Sequence, residues 1–284
     1  MKAVLAGGAL DQVRRLVERV AADGGLRDQL TDEGAIRPLS AAAFLPPVPD
    51  PSLVLALGLS YRDHLAEMHV EAPDRPSGFP KAPSSLNAHR APIVLPRSHP
   101  DMVDYEAELA IVIGRPCFDA DEEEAAAAIA GYTIANDVSA RDWVKAALDP
   151  QQTPMQAALS WQRNLAGKQF PGFTPLGPFL VTADSLADAH DLAITTRLNG
   201  TTMQAGNTRD LIFPLPRIVS HFSRTCALCP GDIISTGTPA GVGYAHKPPR
   251  FLRPGDVVEV TIEGLGSLAN PVVAAGGPVE SGYC

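Results

Sequence analysis

Two glutamates two residues apart, Glu106 and Glu108, lead into the apolar run Leu109-Ala-Ile-Val-Ile113. In a β-strand successive side chains alternate faces, so residues at i and i+2 point the same way. Two carboxylates placed together beside an apolar run repel each other and resist dehydration unless a positive charge lies between them. A divalent cation meets that need, and oxygen ligands favour Mg2+ or Mn2+ over zinc. The spacing alone fits the solvated face of an edge strand equally well. Asp137, which follows the apolar segment Gly131-Tyr-Thr-Ile-Ala-Asn136, can supply a third ligand from the mouth of a sheet, although aspartates in turns are common.

His64 and Glu67 are three residues apart in a segment that reads as helix, so their side chains can meet. A carboxylate that orients an imidazole makes it a better general base near neutral pH, and a plain surface pair is the alternative. Lys168 follows a glycine and precedes Phe170-Pro-Gly-Phe-Thr-Pro-Leu-Gly-Pro178, a setting that can partly bury an ammonium group.

These groups need elements to hold them. Periodicity predicts a helix over Asp11–Ala22 and a rigid extended linker through Leu45-Pro-Pro-Val-Pro-Asp-Pro51. That linker divides a small N-terminal unit, residues 1–48, from a main domain, residues 49–284. A strand is predicted at Leu53–Leu57, a short helix at Tyr61–His69 and a long irregular loop over Ala72–Pro100. The strongest strand is Val103–Gly114 and the strongest helix Asp121–Ala130. Beyond Gly177 short strands dominate, at Phe179–Thr182, Ala193–Leu198, Asp232–Thr236 and Val257–Ile262, with helices sparse.

Bulk properties narrow the function. The 284 residues carry 45% hydrophobic and 19% charged side chains, enough apolar surface for a large core. A net charge of −9, without basic-aromatic runs, argues against nucleic acid as a partner. No apolar run approaches the ~20 residues that span a bilayer, and the apolar N-terminus stops at Asp11, followed by Arg14 and Arg15. The expectation is a cytoplasmic protein. Cys226-x-x-Cys229 lacks a second pair or a nearby histidine pair, so the cysteines read as reduced and structural.

In order along the chain, several stretches together resemble the fumarylacetoacetate hydrolase superfamily. They are Gly58-Leu-Ser-Tyr61-Arg-Asp-His64-Leu-Ala-Glu67, Val103-Asp-Tyr-Glu106-Ala-Glu108, Asn136-Asp137-Val-Ser-Ala-Arg141, Gly167-Lys168, Pro175-Leu-Gly-Pro178, Asn199-Gly200 and Gln204. Pro230-Gly-Asp-Ile-Ile-Ser-Thr-Gly-Thr238-Pro-Ala-Gly-Val-Gly243 and Leu252-Arg-Pro-Gly-Asp-Val-Val-Glu259 complete the set. The resemblance runs from about Pro51 to Val273. It implies an α+β fold with a mixed β-roll or barrel and a small N-terminal domain, assembled as a homodimer. It implies Mg2+ or Mn2+ on Glu106, Glu108 and Asp137, with Ca2+ able to occupy the site in crystals. It further implies a His64–Glu67 base dyad, a catalytic Lys168, and a small-molecule substrate lined by Arg141, Thr238 and Tyr61. The implied reaction is hydrolysis of a carbon–carbon bond in a 1,3-dicarbonyl compound, of acylpyruvate or β-diketone type. Decarboxylation or keto–enol isomerisation on the same metal site is the alternative, and a non-catalytic binding protein is a third reading.

Three departures from the family pattern affect specificity. Many relatives have Gly-Lys/Arg-Asn-Tyr where this chain has Gly58-Leu-Ser-Tyr61, and a glutamine where it has Val144. The stretch between Asp137 and Lys168 also looks longer than in compact relatives and holds Trp143, Met155 and Trp161. A roomy, apolar lid is therefore expected, with a substrate bulkier or less anionic than a simple acylpyruvate.

Overall fold

A run with every residue buried, Ala107–Ile113, forms the middle of the larger sheet. The computed structural model describes residues 1–143 and 153–276. Numbered along the chain, its helices are α1 (Lys2–Ala6), α2 (Leu10–Ala22), α3 (Gly24–Asp32), α4 (Arg62–Met68), α5 (Glu122–Ala128), α6 (Pro154–Ala166) and α7 (Leu215–Ser223). The first strands are β1 (Val54–Gly58), β2 (Ser77–Pro80), β3 (Leu86–Ala88), β4 (Ile93–Val94), β5 (Val103–Asp104), β6 (Ala107–Ile113) and β7 (Ile129–Asn136). They continue as β8 (Ser139–Ala140), β9 (Thr174–Thr182), β10 (Ala193–Leu198), β11 (Thr201–Asn207), β12 (Ile233–Ser235), β13 (Val257–Ile262) and β14 (Gly266–Val273).

The seven-stranded sheet runs β2-β1-β12-β6-β7-β9-β3 and the five-stranded sheet β11-β10-β13-β14-β4, with β5 and β8 forming a separate small ladder. The result is a mixed α+β fold whose large sheet curls into a half-barrel, with a small helical part at the N-terminus. Leu109, Ile111 and Ile113 on one face of β6 pack with Ile194, Val260, Ile262 and Leu268 of the second sheet. Ala110 and Val112 on the other face pack with Val54, Val48 and Leu5, the last from α1. Burial on both faces explains an unbroken apolar run where a half-exposed strand would alternate, as β13 does.

The expected helix around Asp121 is present as α5, capped by reciprocal hydrogen bonds between Asp121 and Glu124. It stops two residues early because Ile129 turns extended and begins β7. The expected strand Val103–Gly114 is interrupted. Tyr105 donates its backbone N–H to the Asp104 carboxylate and Glu106 to the Asn136 carboxamide oxygen, so neither continues the ladder. The Ala72–Pro100 segment is more ordered than expected and holds β2, β3 and β4. Helix α7 is an addition within the strand-rich half. Leu215, Ile218, Val219 and Phe222 have helical spacing there, but Pro214 and Pro216 obscured the period.

Gly131 sits where β7 and β9 close most tightly: a Cβ there would lie 2.1 Å from the Val181 carbonyl oxygen and 2.8 Å from Thr182 Cα. Backbone on both sides leaves no side chain to yield. Gly131→Ala should cost about 3 kcal/mol or more of stability, the upper range for overpacking. A denaturant midpoint unchanged from the parent would show that the two strands can separate freely.

Candidate functional site

The break between β5 and β6 creates the site. Glu106 projects from the break, Glu108 from the second residue of β6, and Asp137 from the residue after β7. Because β6 and β7 are antiparallel neighbours, with Ala107 opposite Asn136, the three acids come together across 31 residues of sequence. One carboxylate oxygen of each lies within 4.8 Å of the others, and all three residues are buried. Among the described residues this is the one cluster of acidic, histidine or cysteine side chains able to hold a metal ion. Cys117, Cys226 and Cys229 are free thiols and belong to no such cluster.

Positive charge surrounds the acids. Lys168 Nζ donates to Glu106 Oε2 at 2.7 Å and to Asp137 Oδ2 at 2.6 Å. Arg141 bridges Asp104 at 2.9 Å and Glu106 at 2.6 Å. Lys81, also buried, contacts the other oxygen of Asp137. Burial by itself would raise Glu106, but Lys168 and Arg141 outweigh it and hold the carboxyl at about 2. Glu108 has no cation against it. Burial, then repulsion from Asp137 and Glu106, pushes it up to about 8.

Glu108 therefore tests whether an ion fits. Its Oε2 accepts from Ser235 Oγ and from the Gly237 N–H at 3.0 Å, while its Oε1 is buried with no partner. A buried carboxylate with one oxygen unpartnered, clustered with two further carboxylates, is what a hard divalent cation would satisfy. Three basic side chains, Lys81, Lys168 and Arg141, stand against Asp104, Glu106 and Asp137, and burial outweighs the attraction of Asp137 to lower Lys81.

Of the three acids, Glu106 reaches the wall of a cavity of about 360 Å3, with Glu108 and Asp137 buried behind it. His64, Glu106, Arg141, Lys168 and Thr238 all line it. His64 Nδ1 lies 3.0 Å from Glu67 Oε2, and Glu67 Oε1 accepts from the Gly241 N–H at 3.0 Å. Burial works to raise Glu67, but the bonds to His64 and to Gly241 outweigh it and hold the carboxyl below its ordinary range. Gly241 has φ +97°, and a Cβ there would lie 2.5 Å from the Met203 carbonyl oxygen, so only glycine lets this loop reach Glu67.

Tyr61 does not join them. It is wholly enclosed, packs in the main core and is absent from the cavity wall. A bulky ring just before α4 gains more from filling the core than from facing the opening. The lid also differs in detail from expectation. Trp143 packs with Phe170 and His99 instead of lining the cavity, and Met155 is 69% exposed. Val144 and the Trp161 side chain lie outside the described residues. The apolar wall comes from Leu57, Leu59, Met68, Phe79 and Leu165, so Leu59, at the departure from the family pattern, does face the cavity.

Sequence reasoning missed Lys81, whose only signal was a lone lysine in the apolar, proline-rich Phe79-Pro-Lys-Ala-Pro83. It also missed Asp104 and Ser235, which are local to the strand ends and carry no spacing signal. Asn164, on α6, lines the cavity with its side-chain oxygen unpaired.

Because a cation at this site must displace the Glu108 proton, its affinity should rise with pH up to about 8, approaching tenfold per unit. Calorimetric Mg2+ and Mn2+ titrations at pH 6, 7 and 8, with proton release read from buffers of different ionisation heat, check this. Glu108→Gln should weaken binding and abolish the release. Equal affinity at all three values, without proton release, would remove Glu108 from the site.

A family-wide profile described as Fumarylacetoacetate (FAA) hydrolase C-terminal matches residues 53–273. The mitochondrial oxaloacetate tautomerase FAHD2A of Bos taurus is 42% identical over 248 residues, covering 87% of this chain and 75% of that protein. The 2,4-didehydro-3-deoxy-L-rhamnonate hydrolase of Sphingomonas sp. is 39% identical, covering 89% of this chain and 90% of its own. Among solved structures, the 5-carboxymethyl-2-hydroxymuconate delta-isomerase of Mycobacterium smegmatis superposes with a TM-score of 0.69 at 40% identity, covering 84% of this chain and 85% of that one. The fumarylacetoacetate hydrolase of Exiguobacterium antarcticum superposes with a TM-score of 0.68 at 39% identity, covering 81% and 76%. Its relatives are thus hydrolases, isomerases and tautomerases, and this chain belongs to the fumarylacetoacetate hydrolase superfamily.

Proposed function

We propose that this protein is a divalent-metal-dependent hydrolase that cleaves the carbon–carbon bond between the carbonyls of a 2,4-dioxo acid with a largely apolar tail. The observation that carries this reading is an oriented imidazole, His64 on Glu67, on the wall of the same cavity as Glu106, the member of the three-carboxylate cluster that reaches it. Glu106, Glu108 and Asp137 would hold Mg2+ or Mn2+, which when bound supplies Lewis-acid polarisation of substrate oxygens.

The chain's own groups account for the proton movements. Glu67 only accepts, so His64 Nδ1 carries the proton and Nε2 keeps its lone pair for a water molecule. Water adds to the carbonyl at C4 as Nε2 takes its proton, and the imidazolium formed is stabilised by Glu67. The C3–C4 bond then breaks, the electron pair passes to the enolate oxygen at C2, and C3 receives a proton. Lys168 and Arg141 keep positive charge near the developing enolate. Thr238 offers a hydroxyl from the wall of the same cavity. The wall of Leu57, Leu59, Met68, Phe79 and Leu165 favours an apolar tail over a second carboxylate.

Tautomerisation of an oxo acid is a second reading, favoured by the 42% identity to oxaloacetate tautomerases. There Nε2 would move a carbon-bound proton, with no water consumed. Correspondence along 90% of a sugar-acid hydrolase favours hydrolysis. A cytoplasmic homodimer that binds neither membrane nor nucleic acid goes with this proposal. Among the described residues, no helix is long and apolar enough to cross a membrane.

Turnover of 2,4-dioxopentanoate in 18O-water decides between the reactions. Hydrolysis gives pyruvate and acetate, with solvent oxygen in the new carboxylate. Enol–keto interconversion without acetate would establish the tautomerase instead. His64→Ala should lower the hydrolytic rate by about 10^2- to 10^4-fold, the usual loss for a general base. A variant that kept the parent rate across the pH range would remove the dyad from the mechanism.

A further inference from the structure

Gln204 is fully buried on β11, outside the cavity, yet its carboxamide joins the two halves of the site. Oε1 accepts from the Ala107 N–H at 3.0 Å and from Thr196 Oγ1 at 2.7 Å. Nε2 donates to Thr238 Oγ1 at 2.8 Å and to the Pro239 carbonyl at 2.9 Å. All four positions of the carboxamide used here are thereby occupied.

The orientation of this amide is dictated by its neighbours. A backbone N–H can only donate, so the atom facing Ala107 must be the oxygen; a backbone carbonyl can only accept, so the atom facing Pro239 must be the nitrogen. Thr238 therefore receives a hydrogen bond from Gln204, and its own O–H is turned elsewhere. Among the described residues no protein group accepts that proton, while Thr238 lines the same cavity as Glu106.

We infer that Gln204 is a positioning residue that commits the Thr238 hydroxyl to donating into the cavity, where it binds an acceptor oxygen of the substrate, a carboxylate or ketone oxygen. The inference rests on the proposed function for the identity of the substrate. The committed donor itself follows from the hydrogen-bond network. A rotatable hydroxyl can both donate and accept; one already accepting from a fixed amide has its donor role selected before substrate arrives. Because Ala107 lies between Glu106 and Glu108, the same amide also fixes the backbone that presents both carboxylates.

The test combines Thr238→Val, Thr238→Ser, Gln204→Met and the Gln204→Met/Thr238→Val double variant. Each is read by KM and kcat for 2,4-dioxopentanoate and, apart from turnover, by the Kd for oxalate with Mn2+ present. Thr238→Val should raise KM, weaken oxalate, or both, by about tenfold, with kcat lowered less. Thr238→Ser should restore the parent values. Gln204→Met should lose at least as much as Thr238→Val, since it also frees the Ala107 N–H, and adding Thr238→Val to it should cost little more. Additive losses would overturn the inference, because they would mean that Gln204 acts only through the β6 backbone. Parent-like KM and Kd in Thr238→Val would overturn it as well. If Gln204→Met does not fold, the Val and Ser pair still decides whether the hydroxyl is a donor. If the parent turns over no dioxo acid, the functional reading fails while oxalate binding continues to test the pair.

Discussion

Carboxylates buried beside one another at the start of β6 are the constraint around which the rest of the site is arranged. Charges of one sign in a low-dielectric interior are tolerated only with counter-charge in direct contact. The chain brings that counter-charge from three distant segments: Lys81 after β2, Arg141 after β8 and Lys168 after α6. Two of the acids are fully engaged by these cations. Glu108 is not, and it is the group left with an unpartnered oxygen. The imbalance is local, and it lies where a divalent ion would be held.

Hydrogen bonds from neutral groups finish what the charges begin. The loop after β12 donates its Gly237 N–H to Glu108 and its Gly241 N–H to Glu67, so one loop braces the acid cluster and the His64–Glu67 pair together. Gln204 ties the same loop to the backbone between the two glutamates. The acids, the imidazole and the Thr238 hydroxyl are thus mechanically one unit, although they come from four separate stretches of chain. Such support is what holds catalytic groups near their working geometry.

In the proposed function, substrate selection falls to other elements. The cavity's apolar wall comes from β1 and the turn after it, α4, β2 and α6, and the site would keep its charged end if those side chains changed. That separation of a charged end from an apolar wall fits a superfamily whose members are named for oxaloacetate, hydroxymuconate and rhamnonate compounds. Leu59 is the residue by which this chain departs from the usual pattern, and it contributes to that wall.

Much of this was legible in the residues themselves. The glutamate pair leading into an apolar run, the His64–Glu67 spacing and the capped helix at Asp121 are local patterns, and local geometry follows from short-range sequence. The ordered motifs from Gly58 to Glu259 were enough to identify the superfamily. Tertiary structure decided what depended on partners far along the chain: Lys81 among the acids, Tyr61 in the core instead of the cavity, the break at Tyr105–Glu106 and the donor role of Thr238. Each of these is settled by which group a side chain meets across a sheet or loop. One-dimensional spacing carries no record of such meetings, because burial and hydrogen-bond satisfaction are properties of the packed whole.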